Sequence, residues 1–283
     1  MINEKVNIKE IEKKAYEIRH WALRAVHAAK SGHPGGSLSE AEILAVLYFN
    51  IMDIDPKNPE KKDRDRFVLS KGHACPGLYS ALALKGYFNT KELLTFRNIN
   101  SNLQGHPALG KIKGIDMSTG SLGQGLSAAN GMALAGKLDD ADYRVYALLG
   151  DGEIEEGQIW EAAMTSAHYK LDNLCAILDR NGLQIDGKTC DVMNSDSAIE
   201  KFLAFGWNVI EVDGHNAGEL MMAFEKAEAE KGRPTIIVAN TIKGKGVSFM
   251  EDNAGWHGKA PSDEELEIAL KEIDEKINAM EVN

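Results

Sequence analysis

Apolar residues recur in steps of three and four over residues 8–30: Ile8, Ile11, Ala15, Ile18, Ala22, Ala25, Val26 and Ala29. That spacing predicts an amphipathic helix. The run Ser31-Gly32-His33-Pro34-Gly35-Gly36 breaks it. Ser37 or Ser39 is then expected to cap a second helix reaching about Phe49, with Glu40 and Glu42 in its first turn. Residues 53–65 are polar and contain Pro56 and Pro59, which predicts an exposed loop. FVLS at 67–70 reads as a short strand running into Lys71-Gly72-His73. A second helical region follows, then a glycine-rich stretch at 105–125 and a small-residue helix at 126–138.

The second half is more regular. Strands are expected at 144–149, 173–178, 208–212 and 235–240, separated by helical patterns at 157–169, 197–205 and 217–231. Alternating strands and helices predict an α/β fold, with a mostly parallel central sheet and helices on both faces. The near-continuous apolar runs VYALL, LCAIL and TIIVA suit strands covered on both sides. Residues 262–280 read as an amphipathic helix capped by Ser262 or Asp263. With no internal repeat and no low-complexity linker, one domain over residues 1–283 is the economical organisation.

Composition narrows the function classes. A net charge of −11 and no basic stripe with interleaved aromatics argue against nucleic-acid binding. No apolar run approaches the roughly 20 residues of a membrane span. The N-terminus MINEKVNIKEIEKK is charged and lacks a signal-peptide core, so a cytoplasmic protein is expected. Cys75, Cys175 and Cys190 are widely spaced, which makes a zinc or redox motif unexpected. Cys175, inside NLCAIL, reads as a buried small residue.

The chemistry concentrates in GDGEIEEGQIWE at 150–161. A strand ending in Gly150-Asp151-Gly152 places Asp151 at a carboxyl edge, where ligands bind in open α/β sheets. Asn181, in the turn after the next strand, lies thirty residues on, about one βαβ unit of roughly 30 residues. An Asp carboxylate and an Asn carbonyl emerging from neighbouring strands suit a hard divalent cation such as Mg²⁺, and the loop to Leu183 offers a backbone carbonyl. Gly150 and Gly152 leave room for phosphate oxygens. The competing reading of GDG is a plain strand-to-helix turn with Asp151 as its cap.

These motifs, with SGHPGGSLS, LSKGHACPGLY, TGSLGQGLS, LDRNGLQIDG and TIKGKGVSFMEDNAGWHGKAP in the same order, resemble transketolase over residues 10–265. The resemblance implies the thiamine-diphosphate-binding fold, as one diphosphate-binding domain. It implies transfer of a two-carbon ketol unit from a ketose phosphate to an aldose phosphate, with thiamine diphosphate as electron sink and Mg²⁺ (or Ca²⁺ or Mn²⁺) as its metal. The implied metal ligands are Asp151, Asn181 and the carbonyl of Leu183. Gly152 is implied to meet the diphosphate, Gly120 and Leu122 to support the cofactor, Asn181 to serve cofactor and metal together, and Ile185 to pack beside the rings. An isoleucine is equally ordinary core.

Histidine suits the proton movements of such a reaction, since its pKa lies near neutrality. The resemblance brings His33, His106 and His257 to the sugar oxygens, and His73 and His257 to the cofactor. Taken singly, each could be a loop histidine bonded to backbone. Lys71 and Lys243 are candidates for phosphate contact or for plain solvated lysines, and Lys243 is expected to contact the cofactor. Glu156 is implied to join an acidic network across a subunit interface. Glu153 and Glu155 read as solvated acids near a helix start. His20 and His27 read as packing residues and His168 as a helix-end charge; His215 suggests no role.

Members of the family also use a glutamate against the aminopyrimidine, supplied by a second domain of the facing subunit. No such domain follows here. The charged tail helix suggests the N-terminal subunit of a split enzyme, partnered by a C-terminal transketolase subunit in a heterotetramer. A piece cut from a longer enzyme is the alternative. Three other functions compete: a related thiamine-diphosphate enzyme such as 1-deoxyxylulose-5-phosphate synthase, a non-catalytic cofactor-binding module, and a metal-dependent phosphate hydrolase with Asp151 as nucleophile.

Overall fold

The computed structural model describes residues 7–194 and 197–281. The first six residues, part of the N-terminal segment read above as lacking a signal core, lie outside the described residues, as do Val282 and Asn283 of the charged tail. Helix α1 (Ile8–Ala29) buries Ile11, Ala15, Ile18, Ala22, Ala25 and Val26, as the spacing requires. Asn7 caps it, accepting the N–H of Lys9 at 3.1 Å, and Lys30 ends it in the left-handed region with φ 49°.

The next helix does not start at a serine. α2 (Pro34–Ser39) opens with His33 as N-cap and Pro34 at its first position, and Ser37 and Ser39 lie buried inside it. The chain bends at Glu40 and continues as α3 (Ala41–Val46) into a π-helical turn ending at Ile51. β1 (Arg66–Leu69) leads to α4 (Cys75–Lys85), and the glycine-rich stretch to α5 (Gln124–Leu138). Then come β2 (Val145–Gly150), α6 (Gly157–His168) and β3 (Leu174–Arg180). A small hairpin of β4 (Leu183–Gln184) and β5 (Gly187–Lys188) precedes α7 (Thr189–Val192) and α8 (Ala198–Ala204). The chain closes with β6 (Asn208–Asp213), α9 (Ala217–Ala229), β7 (Thr235–Asn240) and α10 (Asp263–Glu281).

The five long strands form one parallel sheet in the order β1-β2-β3-β7-β6. Side chains alternate between its faces. Leu69, Leu148, Ile177 and Ile237 pack under α1, α3, α4 and α9, whereas Val68, Leu149, Leu178 and Val238 pack under α5, α6 and α8. Helix α10 lies against α1 through Leu23, Ala269 and Ile273. Ser262 caps it by accepting the N–H of Glu265 at 3.2 Å, while the Glu265 carboxylate accepts the N–H of Ser262 at 2.8 Å. Among the described residues no helix is long and apolar enough to cross a membrane.

Candidate active site

Because the sheet is parallel, the turns after β1, β2, β3 and β7 all open on one edge. They deliver Lys71 and His73, Asp151 and Gly152, Asn181 and Leu183, and Lys243 to a single cavity of 320 Å³. The loops carrying His33, His106, Gly120, Leu122 and His257 complete its wall. Larger hollows of 510 and 540 Å³ sit beside Arg144, at the opposite end of β2, but solvated charges such as Asp140 and Asp142 line them and no histidine does.

The register pairs Gly150 with Asp179, so the turns after β2 and β3 lie side by side. Asp151, only 5% exposed, accepts the N–H of Gly152 at 2.9 Å and that of Gly182 at 2.5 Å. Burial, and then the neighbouring Asp179, pushes its carboxyl up to about 6. Asn181 Oδ1 accepts the N–H of Leu183 at 3.2 Å, and the carbonyl of Leu183 accepts Lys243 Nζ at 2.9 Å. Among the described residues no group of three His, Cys, Asp or Glu side chains could hold a metal. A carboxylate, an amide oxygen and a backbone carbonyl instead make half a coordination set. Such a set fits a hard cation that brings phosphate oxygens and water with it.

The glycines keep this space open. A Cβ on Gly120, whose φ is +143°, would lie 3.1 Å from the His106 ring. A Cβ on Gly152 would lie 3.2 Å from that of Gln184. Ile185, on the β4–β5 hairpin, lines the cavity yet is 69% exposed, which excludes the reading as ordinary core.

Three histidines converge ring to ring. The His33 centroid lies 5.0 Å from that of His73 and 5.4 Å from that of His257, and His73 and His257 stack at 5.3 Å. Among the described residues none of the three meets a carboxylate within ion-pair distance, and the Nδ1 atoms of His33 and His257 are buried without a partner. Burial depresses all three, helped by Arg97 at His33 and by the lysines at the others: His33 to about 4, His73 to about 2 and His257 to about 3. All three are therefore neutral at physiological pH. His106 stands exposed at the mouth, lowered by partial burial and by Arg97.

Neither lysine is a solvated surface group. Lys71 is 2% exposed and reaches Asp179 at 2.6 Å and Glu40 at 2.8 Å. Burial opposes its charge, but Asp179 and Glu40 hold it above the ordinary lysine range. Asp179 also accepts Ser39 Oγ at 2.6 Å and the hydroxyl of Thr241. Burial pushes Glu40 up to about 7 despite Lys71, and neither of its oxygens has a well-directed hydrogen bond. Lys71 is thus engaged beneath the site. Lys243 is 4% exposed and has no carboxylate within ion-pair distance among the described residues; burial lowers it to about 8 although Asp151 and Asp179 resist. It is the lysine free to meet an anion.

The three glutamates of the acidic turn have separate fates. Glu153 is not solvated: it is 2% exposed and accepts Gly123 N–H at 2.9 Å, Gly150 N–H at 3.0 Å and the Ser70 hydroxyl. It fastens three loops together under the cavity. Burial raises its carboxyl, against the pull of Ser70. Glu155 is half-buried and accepts Gln184 Nε2 at 2.8 Å. Glu156 points outward at the start of α6, outside the cavity, and its side chain makes no hydrogen bond or ion pair among the described residues.

Sequence reasoning also misjudged other groups. Glu42 lies in the first turn of α3 but is no mere helix-start acid: it is buried and receives both ends of the Arg19 guanidinium, at 2.6 and 2.5 Å. His20 and His27 do more than pack, meeting Asp274 at 2.9 Å and Asp263 at 2.7 Å across to α10. His168 lies in the last turn of α6 against Tyr169, as expected of a helix-end residue. His215 is bonded on both ring nitrogens.

Residues 11–276 match the family described as "Transketolase, thiamine diphosphate binding domain". The chain is 43% identical to a subunit of the apulose-4-phosphate transketolase of Phocaeicola vulgatus, over 98% of each chain. It is 46% identical to 6-deoxy-6-sulfo-D-fructose transketolase subunit SqwG of Clostridium sp., over 94% of this chain and 97% of that one. Human transketolase is 47% identical over 94% of this chain, which spans 42% of the human protein. The crystal structure of Campylobacter jejuni transketolase superposes with a TM-score of 0.89 at 34% identity, covering 95% of this chain and 43% of that one. Sequence, fold and the order of the cavity-forming turns agree: the chain belongs to the transketolase family.

Proposed function

We propose that the chain is the diphosphate-binding half of a thiamine-diphosphate-dependent transketolase, which moves a two-carbon ketol unit from a ketose phosphate to an aldose phosphate. A separate pyrimidine-binding C-terminal subunit completes the site, two copies of each chain forming a heterotetramer. The observation that carries this reading is the convergence of His33, His73, His257, Asp151, Asn181 and Lys243 on one cavity. Two relatives matched end to end are named as single subunits of transketolases, which supports the split. We place the assembly in the cytoplasm.

When bound, thiamine diphosphate supplies the electron sink for the two-carbon carbanion. Asp151, Asn181 and the Leu183 carbonyl would hold Mg²⁺ (or Ca²⁺ or Mn²⁺). Gly152 N–H and Lys243 would meet the diphosphate, with Gly120 and Leu122 supporting the cofactor and Ile185 lying beside its rings. His33, His106 and His257 face the sugar oxygens. A neutral imidazole can both accept and donate, so these rings can hydrogen-bond the sugar hydroxyls and move a proton. Glu156, turned outward, joins an acidic network at the subunit interface.

A plain cofactor-binding module has no need of three clustered histidines, two of them with an unpaired buried nitrogen. A 1-deoxyxylulose-5-phosphate synthase would share the diphosphate site, so the sugar assay separates it. The chain with its partner should bind thiamine diphosphate in the presence of Mg²⁺ and transfer two-carbon units, while the chain alone should show no turnover. Robust turnover by the chain alone would refute the split. No cofactor binding even with the partner would refute the cofactor.

A further inference from the structure

The turn after β6 packs tightly on the turn after β7. Gly214 donates its N–H to the Asn240 carbonyl at 2.8 Å. A Cβ on Gly214 would lie 2.5 Å from Thr241 Cγ2, so only glycine permits the approach. The next residue, His215, has an imidazole with 12% of its surface exposed. Its Nε2 lies 2.8 Å from the backbone nitrogen of Ile242, and its Nδ1 lies 2.9 Å from Glu42 Oε2.

These partners decide where the ring's proton sits. A backbone N–H can only donate, so Nε2 must be bare and accept. The proton is then on Nδ1, which donates to Glu42. Glu42 independently demands a donor. Burial would raise its carboxyl, but Arg19 and His215 together outweigh burial and bring it down to about 2. Arg19 is itself fully buried and anchored by Nε to the Leu38 carbonyl at 3.1 Å. A continuous set of bonds therefore runs from α1 through α3 and His215 to Ile242. Ile242 is the residue before Lys243. On the far side, Gly244 donates to the Gly35 carbonyl at 3.0 Å and the Lys243 carbonyl accepts Asp252 N–H at 3.0 Å. The backbone of Lys243 is pinned on both sides, and among the described residues His215 is the only side chain in that clamp.

We propose that His215 is a positioning residue: as the neutral Nδ1–H tautomer it fixes the Ile242 peptide and so aims the buried Lys243 ammonium at the cofactor's diphosphate. This rests on the reading of Lys243 as a diphosphate contact. In the ¹⁵N-labelled chain, Nε2 should resonate as an unprotonated acceptor nitrogen and the Ile242 amide should exchange slowly. His215→Leu removes the acceptor at similar size, whereas His215→Gln can still accept from Ile242 and donate to Glu42. With the partner subunit present, the Leu variant should weaken thiamine-diphosphate binding with Mg²⁺ by roughly 10-fold, and Gln should restore most of it. Turnover at saturating cofactor should change much less than the Kd.

A folded Leu variant with unchanged Kd overturns the proposal. So does a protonated Nε2 in the wild-type chain, a result that stands even if the Leu variant does not fold. If Lys243→Met leaves the Kd unchanged, the diphosphate reading of Lys243 fails and takes the functional half of the proposal with it. That failure is separable, because the Ile242 amide would still lose protection in His215→Leu.

Discussion

Five of the eight histidines fall in two regions that are treated in opposite ways. Along α1, His20 and His27 each meet a carboxylate of α10, at the protein surface. At the carboxyl edge of the sheet, His33, His73 and His257 are packed against one another with no carboxylate among the described residues, and two of their nitrogens have no partner. The first arrangement holds two helices together. The second burdens the fold, because a buried polar atom without a hydrogen bond costs about 1–3 kcal/mol. A fold retains such a burden where function requires the bare nitrogen. Unsatisfied nitrogens rather than bonded ones set His33 and His257 apart from the helix-pairing histidines.

The contrast can be broken hardest at the edge of the cavity. Asp151→Ala should weaken Mg²⁺-dependent cofactor binding by more than roughly 100-fold, since it removes a proposed direct ligand where even supporting residues are worth about 10- to 100-fold; cofactor titration of the assembled enzyme checks this. Replacing a single cluster histidine, as in His33→Ala, should lower kcat/KM by about 10²–10⁴. It should not lower the melting temperature of the chain, because the His33 ring makes no hydrogen bond among the described residues and its unpaired buried nitrogen is removed. A large loss of stability with intact turnover would reverse the assignment.

The acidic turn offers a second division. Glu153→Ala strands Gly123, Gly150 and Ser70 and should destabilise the chain by roughly 2–4 kcal/mol in denaturant unfolding. Glu156→Ala should leave stability unchanged and alter only the assembled enzyme.

Acid should separate the two histidine regions as well. The cluster values of about 2 to about 4 lie below the ordinary histidine value of about 6.5. The unfolded chain therefore takes up protons first as pH falls. The stability these histidines contribute is complete above about pH 6.5 and is lost as pH drops toward their folded values. Melting temperatures between pH 7 and 5 should fall, and His73→Phe should flatten the slope. The smallest effect belongs to α1: His27→Ala should cost under about 1 kcal/mol, as exposed ion pairs do, with no change in turnover.

Much of this was legible in the chain. The period of α1, the strands β2, β3 and β7, and the turn Gly150-Asp151-Gly152 follow from local pattern, because the burial that selects them is periodic. The cavity residues were legible as a set of motifs. What escaped was the buried charge beneath them. Lys71 meets Asp179 across 108 residues, Ser70 meets Glu153 across 83, and Arg19 meets Glu42 across 23. A charged residue reads as solvated unless its partner is known, and the partner is set by strand order and helix packing rather than by spacing. The second helix failed for a local reason: Pro34 at its first turn outweighed the serines as a start signal.

The pairing of Gly150 with Asp179 also bears on how such a chain can change over generations. Asp151 and Asn181 are neighbours because two strands end side by side, and the hydrogen bond from Gly182 to Asp151 closes the gap between them. The thirty residues that separate them in sequence are the accident of one helix length. Insertions in the connection from α6 to β3 would be absorbed as a longer excursion over the surface, with the distance between the two side chains unaltered. One residue added inside either turn would part them. Descendants of this sequence are free to lengthen almost anywhere except at the few peptides where neighbouring strands run out together.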